Sequence, residues 1–208
     1  MHYNYPRIGG VKRDMPIGFA DRVIAKTKLF EKRIEEYEMM LDESTIWLVR
    51  LQGVGYANAE EMVDAGVSGP NVRAAGVNYD VRWAHPYSVY DEIDWEPSVE
   101  KPTSVKGADC YDRYRVRMEE MRQSCRMVLD ALNKIPGGMN TNYASGDEMI
   151  LTKAPTRAPE GATGFSNYEC TRGASQFYVQ GGGEGRGKNP YRLSIRSPMF
   201  ITIPFVAK

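Results

Sequence analysis

Residues 109–138 read DCYDRYRVRMEEMRQSCRMVLDALNKIPGG. Apolar and aromatic side chains recur through them at alternating three- and four-residue steps: Tyr111, Tyr114, Met118, Met121, Cys125, Val128, Leu132 and Ile135. That spacing lays one continuous stripe along an α-helix. Arg113, Arg115, Arg117, Glu119, Glu120, Arg122 and Arg126 fall on the other faces, and Pro136-Gly137-Gly138 ends the run. A helix over about 109–134 is expected. Spacings such as Arg115–Glu119 and Glu119–Arg122 allow pairing along its surface. Arginine at this density beside carboxylates also points to ion pairs buried at an interface, because the planar guanidinium holds carboxylates in fixed geometry. The mixed signs argue against a nucleic-acid face. Over the whole chain 27 Lys and Arg balance 27 Asp and Glu, so there is no basic surplus for a polyanion partner.

Outward from that helix, 208 residues are enough for one domain, or two small ones. Residues 1–18 read as loop, broken by Pro6, Gly9, Gly10, Pro16 and Gly18. A second helix is expected over Asp21–Leu41, with Val23, Ile24, Phe30, Ile34, Tyr37 and Leu41 on one side. Residues 45–49 fit an extended segment or a helix equally. A short helix follows, with Asn58 as cap, Glu61 at the capping-box position and Gly66 closing it. Residues 66–76 read as a glycine-punctuated loop, 78–94 are aromatic without alternation, and 96–107 form a polar linker. Past the long helix, 139–167 read as loop. Strands are expected at 176–180 and 191–196, joined across 181–189 into a hairpin. The fold class is α+β: long core helices with a small β-hairpin or sheet.

Little of this carries chemistry on its own. Cys110, Cys125 and Cys170 are an odd count with no C-x-x-C spacing, against both a disulfide framework and a zinc site. Cys125 falls on the apolar stripe and reads as a small core residue. His2 and His85 are the only histidines, too few for a histidine metal site. Residues 182–188 match G-x-x-x-x-G-K, but position 189 is Asn and Pro190 begins a strand. Both the magnesium hydroxyl and the helix N-terminus of a phosphate loop are therefore missing. No stretch approaches the roughly 20 apolar residues that span a bilayer, and the tail 199–207 is short and carries Pro204.

Four segments, in order, carry a resemblance. They are MHYNYPRIGGVKRDMP (1–16), GVSGPNVRAAGVNYDVR (66–82), DCYDRYRVRMEEMRQS (109–124) and NPYRLSIRSP (189–198). Together they resemble the hydrogenase-like core subunit of complex I, itself related to the large subunits of nickel–iron hydrogenases. The resemblance implies a hydrogenase large-subunit-like fold. It implies a peripheral-arm subunit of an NADH (or other donor):quinone oxidoreductase, helping to form the quinone cavity beside a four-iron four-sulfur cluster held by a neighbouring subunit. No cofactor is then bound by this chain itself, and activity needs the assembled complex. Partners would be the cluster-bearing and other peripheral-arm subunits, the membrane-arm subunits and quinone, not nucleic acid. The place would be the cytoplasmic side of the plasma membrane.

Residue by residue, His2 matches the histidine beside the cluster, where hydrogen bonds tune its potential. Arg7 lies in the same segment. Gly69, Pro70 and Arg73 match the family's loop motif, with glycine allowing close backbone approach. Asp80, Arg82, Asp112, Arg113, Arg117, Glu120, Arg192 and Arg196 match charged positions expected to serve as structural ion pairs or interface groups. The family's quinone-contacting His and Tyr belong to an N-terminal part not found in these residues, and the acidic-Arg ending is absent too. Residues 1–208 are therefore expected to be a central to C-terminal part of the family domain. The E-x-x-K/R-G-E motif appears as Glu169, Arg172 and Gly173, with Ala174 in place of the last Glu. Two alternatives stand beside this: the large subunit of a membrane-bound energy-converting hydrogenase, or a non-catalytic interaction module.

Overall fold

The computed structural model describes residues 15–135, 159–183 and 189–207, together with the backbone of two short strands near the start, β1 (Pro6–Arg7) and β2 (Gly10–Val11). In chain order there follow α1 (Phe19–Asp42), α2 (Thr45–Leu51), α3 (Ala59–Asp64), α4 (Pro70–Ala74), α5 (Val81–Ala84), α6 (Cys110–Asn133), β3 (Thr163–Cys170), β4 (Gly173–Gln180), β5 (Arg192–Arg196) and α7 (Met199–Val206). The architecture is α+β, as the patterning predicts. A three-stranded antiparallel sheet in the order β3-β4-β5 stands beside the long helices.

Helix α6 organises the rest. Asp109 caps it through a reciprocal box: its carboxylate accepts the amide of Asp112 at 2.9 Å, and the Asp112 carboxylate accepts the amide of Asp109 at 3.2 Å. Two orphan amides of the first turn are thus satisfied. The expected stripe is only half of what α6 buries. Met118 and Cys125 pack with Ile34 of α1 in one cluster, flanked by Tyr114 and Met121. Val116 packs on a different side, with Met62, Val67, Val72 and Ala108 in a larger core. Asp112 and Met127 are buried as well, whereas Val128 on the stripe is exposed. Periodicity finds one apolar face, and a helix wedged between two clusters needs two.

Four expectations change. Residues 70–74 form α4 rather than loop, because Pro70 takes the first helical position and Gly69, at φ +79°, turns the chain into it. β3 begins inside the stretch 139–167 that reads as loop, and its eight residues pair in full register with β4, from Thr163↔Gln180 to Cys170↔Gly173. The apolar tail is α7, with Ile201 and Phe205 against the larger core. In α1 the predicted stripe is buried only in part: of 24 residues, Ala20 and Ile34 alone are fully buried, and Phe30 and Tyr37 are exposed. The undecided segment after it is helical, with Ser44 capping α2. The linker 96–107 is not free: Glu100 N–H donates to the Arg73 carbonyl, and Thr103 N–H and Oγ1 donate to the Asp112 carboxylate.

Candidate functional site: a buried arginine cluster

Arg73 is 2% exposed, the largest fully buried side chain among the described residues. It sits on α4, aimed into the angle between α6, β3 and the loop before α5. Its Nε and Nη2 both donate to Glu120 Oε1, at 2.9 and 2.7 Å. Nη1 donates to Glu169 Oε1 at 3.0 Å and to the Tyr79 carbonyl at 2.9 Å, and lies 3.1 Å from Asp80 Oδ2. One guanidinium therefore gathers three carboxylates from three parts of the chain. A guanidinium is suited to this because its donors form a fixed planar fork.

The acids have further partners. Asp80 caps α5 through the amide of Arg82, and also takes Arg82 Nε at 2.9 Å and Nη2 at 2.7 Å. Arg82 is laid over the rings of Trp95, at 4.7 Å, and Tyr90. Burial works against its charge, yet Asp80 outweighs burial and holds Arg82 more firmly protonated than usual. Glu169 accepts the Val81 amide at 3.3 Å through its second oxygen, and its own amide donates to the Tyr87 hydroxyl. Burial, and then the neighbouring Asp80 carboxylate, push the Glu169 pKa above the ordinary carboxylate range; Arg73 offsets part of that.

The glycines before and after the cluster bring two backbones into contact. A Cβ on Gly69 would lie 2.4 Å from the Gly173 Cα, and one on Gly173 would lie 2.6 Å from Ser68 Oγ. Ser68 Oγ instead accepts the Ala174 amide at 2.9 Å. Ala174, where the family motif has its last Glu, is 3% exposed in this close-packed spot. A carboxylate there would be buried against backbone.

Of the charged positions singled out by sequence, Arg73, Asp80, Arg82 and Glu120 meet in this one cluster. Arg117 stands at its rim, donating to the Thr171 carbonyl, and burial lowers its pKa while Glu120 raises it. Asp112 belongs instead to the start of α6. Arg113 ties that end down through the carbonyls of Ala108 and Gly55, at 3.1 and 2.7 Å, and touches Cys110 Sγ at 3.2 Å. Arg196 on β5 donates to the Gly66 carbonyl at 3.1 Å, and Arg192 is exposed at the register position facing Gln180. Arg115 reaches Glu100 in the linker at 3.0 Å rather than Glu119, while Arg122 pairs with both Glu119 and Glu38. His85 is exposed just after α5. His2, the side chain of Arg7 and most of the 182–188 loop lie outside the described residues.

Glu169 and Tyr87 have no role assigned from sequence, although Glu169 opens the E-x-x-R-G motif, which is the available signal. An open cavity of about 920 Å³ lies between Met62, Cys110 and Phe205. Arg113 is the guanidinium in its wall, and its bonds to backbone carbonyls are already made. No group of three or more His, Cys, Asp or Glu among the described residues is placed to hold a metal ion.

Long helices beside a small antiparallel sheet, pinned by a buried arginine, place the chain in the hydrogenase large-subunit-like class. Known proteins narrow the class. The model of the respiratory-chain NADH dehydrogenase 49 Kd subunit matches residues 1–208, and the chain belongs to that family. A subunit of the NADH-quinone oxidoreductase of Rhizobium etli is 32% identical over 221 residues, covering 98% of this chain and 52% of that protein. A subunit of the NAD(P)H-quinone oxidoreductase of a Synechococcus species is 33% identical over 216 residues, covering 96% and 53%. Among solved structures, an archaeal membrane-bound sulfane sulfur reductase, a respiratory membrane complex, superposes with a TM-score of 0.77 at 30% identity, over 95% of this chain and 50% of that one. The chain thus spans about half the length of these relatives. The sulfane sulfur reductase is a membrane-bound respiratory complex, and no helix among the described residues of this chain is long and apolar enough to cross a membrane.

Proposed function

We propose that this chain serves in the peripheral arm of a membrane-bound oxidoreductase that passes electrons from NADH or another donor to quinone. In this reading it forms part of the wall of the quinone cavity and abuts the subunit holding the terminal four-iron four-sulfur cluster, with His2 beside that cluster, on the cytoplasmic side. The observation that carries it is the family match over all 208 residues. The chain's own contribution is positional. The Arg73 cluster fixes α4, α6 and β3 relative to one another, and α4 and α6 carry two of the four family segments. Arg192, on the exposed face of β5, and Arg117, at the rim, are available to neighbouring subunits.

The test is reconstitution of the complete complex with this chain, assayed for donor-driven reduction of a short-chain quinone. Activity that appears with the chain and disappears without it supports the reading; an assembled complex that reduces no quinone overturns it. His2→Gln in the same complex is expected to shift the cluster's midpoint potential in a redox titration, since removing a nearby hydrogen-bond donor changes the stability of the reduced cluster. The likeness to a sulfane sulfur reductase favours a second reading, in which the same frame serves a sulfane acceptor. Reduction of polysulfide in place of quinone by the reconstituted complex would select it.

A further inference from the structure

Helix α6 has two open flanks. One, against α1, is an apolar groove walled by Phe19, Phe30, Met121 and Val128. The other is charged. Of the five arginines on α6, Arg115, Arg122 and Arg126 each reach a carboxylate. Arg113 and Arg117 make no ion pair among the described residues. Their guanidiniums donate to backbone carbonyls instead, Arg113 to Ala108 and Gly55, Arg117 to Thr171. The two lie four residues apart on one face of the helix, about 6 Å along its axis. Thr171 precedes Arg172 in the turn between β3 and β4, and Arg172 is exposed and likewise without an ion pair among the described residues. These arginines feel one another. Burial lowers the Arg117 pKa and Glu120 raises it, and the like charges of Arg172, Arg73 and Arg113 lower it again. Arg73 brings its own acids, Asp80, Glu120 and Glu169, and the other three bring none. Position 174, where the E-x-x-K/R-G-E motif ends in Glu, pairs with Glu169 across the hairpin and so lies on the same side of the sheet. Ala174 leaves that side one carboxylate short.

We propose that Arg113, Arg117 and Arg172 form a site for a phosphoryl group, carried by a free phosphate compound or by the headgroup of an acidic lipid. Like charges held side by side are costly until an opposite charge meets them. A carboxylate is a small answer to three guanidiniums. Elsewhere in this chain the shared carboxylates take two each, Glu119 from Arg122 and Arg126, Asp80 from Arg73 and Arg82. A phosphoryl group offers three acceptor oxygens and a charge of about −2 at neutral pH, which suits forks arriving from a helix and a hairpin turn. Donors remain for it: the two carbonyls and the Cys110 sulfur occupy three N–H groups of Arg113, and the Thr171 carbonyl one of Arg117. Those same bonds hold both guanidiniums in place beforehand, so less side-chain freedom is lost on binding. Glu61 and Asp64 stand in the wall of the cavity that Arg113 also lines, which favours the anion at the Arg117–Arg172 end.

The test is a phosphorus NMR titration of inorganic phosphate with the full chain at low salt. Saturable binding is expected, about tenfold weaker in Arg117→Gln and in Arg172→Gln, where a charge-assisted contact is lost. Their Tm is expected to match the wild type, since both side chains are exposed. Arg192→Gln, which removes an exposed arginine of β5 outside the group, should bind as the wild type does. No saturable binding, or equal weakening by all three substitutions, overturns the proposal. In the complete complex, purified through a tag on this chain, the binding should persist; its loss there would mean that a neighbouring subunit's acids fill the site, and overturns it too. Flotation with phosphatidylcholine vesicles, with and without phosphatidic acid, separates the two sources. Co-flotation that needs phosphatidic acid and is lost in Arg117→Gln assigns a lipid headgroup. Saturable phosphate binding without flotation assigns a free phosphate compound. None of these readouts involves the electron acceptor, so the proposal and the quinone reading can fail separately.

Discussion

The surroundings of Arg73 and the groove beside α1 share one helix, α6, and are built on opposite terms. Around Arg73, every charge has a partner within the chain, and the two glycine backbones close the site from outside. Beside α1, large apolar side chains stand open, and Ile34 is the one large α1 residue sealed into the contact with α6. Polar burial has been made self-sufficient and apolar burial has not. The difference follows from what each is worth when left incomplete. A buried unpaired charge is strongly destabilising, whereas an exposed phenylalanine merely forgoes about 2 kcal/mol of burial.

The sharpest way to break the contrast is Arg73→Ala. It leaves Asp80, Glu120 and Glu169 facing one another with the half-buried Arg82 as the remaining cation. Urea unfolding is expected to show a loss of about 3–5 kcal/mol; a loss under about 1 kcal/mol would mean the acids simply protonate or the site opens to water. Gly173→Ala, which places a methyl 2.6 Å from Ser68 Oγ at φ +126°, is expected to destabilise by more than about 1 kcal/mol in the same measurement. On the groove side, Ile34→Val should be felt at about 0.5–1.5 kcal/mol. Phe30→Ser, on an exposed wall, should stay within about 0.5 kcal/mol for the chain alone. If Phe30→Ser proved as damaging as Ile34→Val, the groove would already be closed in the free chain and the contrast would vanish.

Acidity sharpens the comparison from the other side. The folded-state pKa of Glu169 is raised, so its proton favours the folded state. Its contribution is fully present below the unfolded carboxylate value of about 4.3 and is lost as pH climbs through the higher folded value. Stability measured against pH for the wild type and for Glu169→Gln should therefore diverge across that window, the variant lacking this downward slope. Parallel curves would show that Arg73 holds Glu169 ionised throughout.

Much of the frame is legible in the sequence. Helix α6 and its stop at Lys134, the Asn58 cap of α3 and the β4–β5 hairpin all rest on signals within a few residues of each other. The family segments also mark Arg73, Asp80, Arg82 and Glu120 as charged positions of interest. Their meeting is not legible, because Glu120 and Glu169 lie 47 and 96 residues from Arg73 and no local pattern encodes such a distance. β3 escapes for a related reason. Thr163–Cys170 has no clean alternation, and pairing with β4 makes it a strand. α4 is hidden by glycines that flank it rather than interrupt it, and α7 by Pro204 and an apolar run with no polar face to give a period.

The sequence distances around Arg73 also order events in time. Its link to Glu120 spans 47 residues and can form once α4 meets α6, but Glu169 arrives across 96, and the Ser68–Ala174 bond across 106. Closing loops that long is slow compared with forming helices or hairpins, and contacts of high sequence separation are late in folding. The hairpin of β3 and β4 is thus expected to seat last, with Arg73 holding two acids instead of three until it does. Substitutions in the β3–β4 turn should then speed unfolding while leaving the folding rate nearly unchanged, as expected for contacts absent from the transition state.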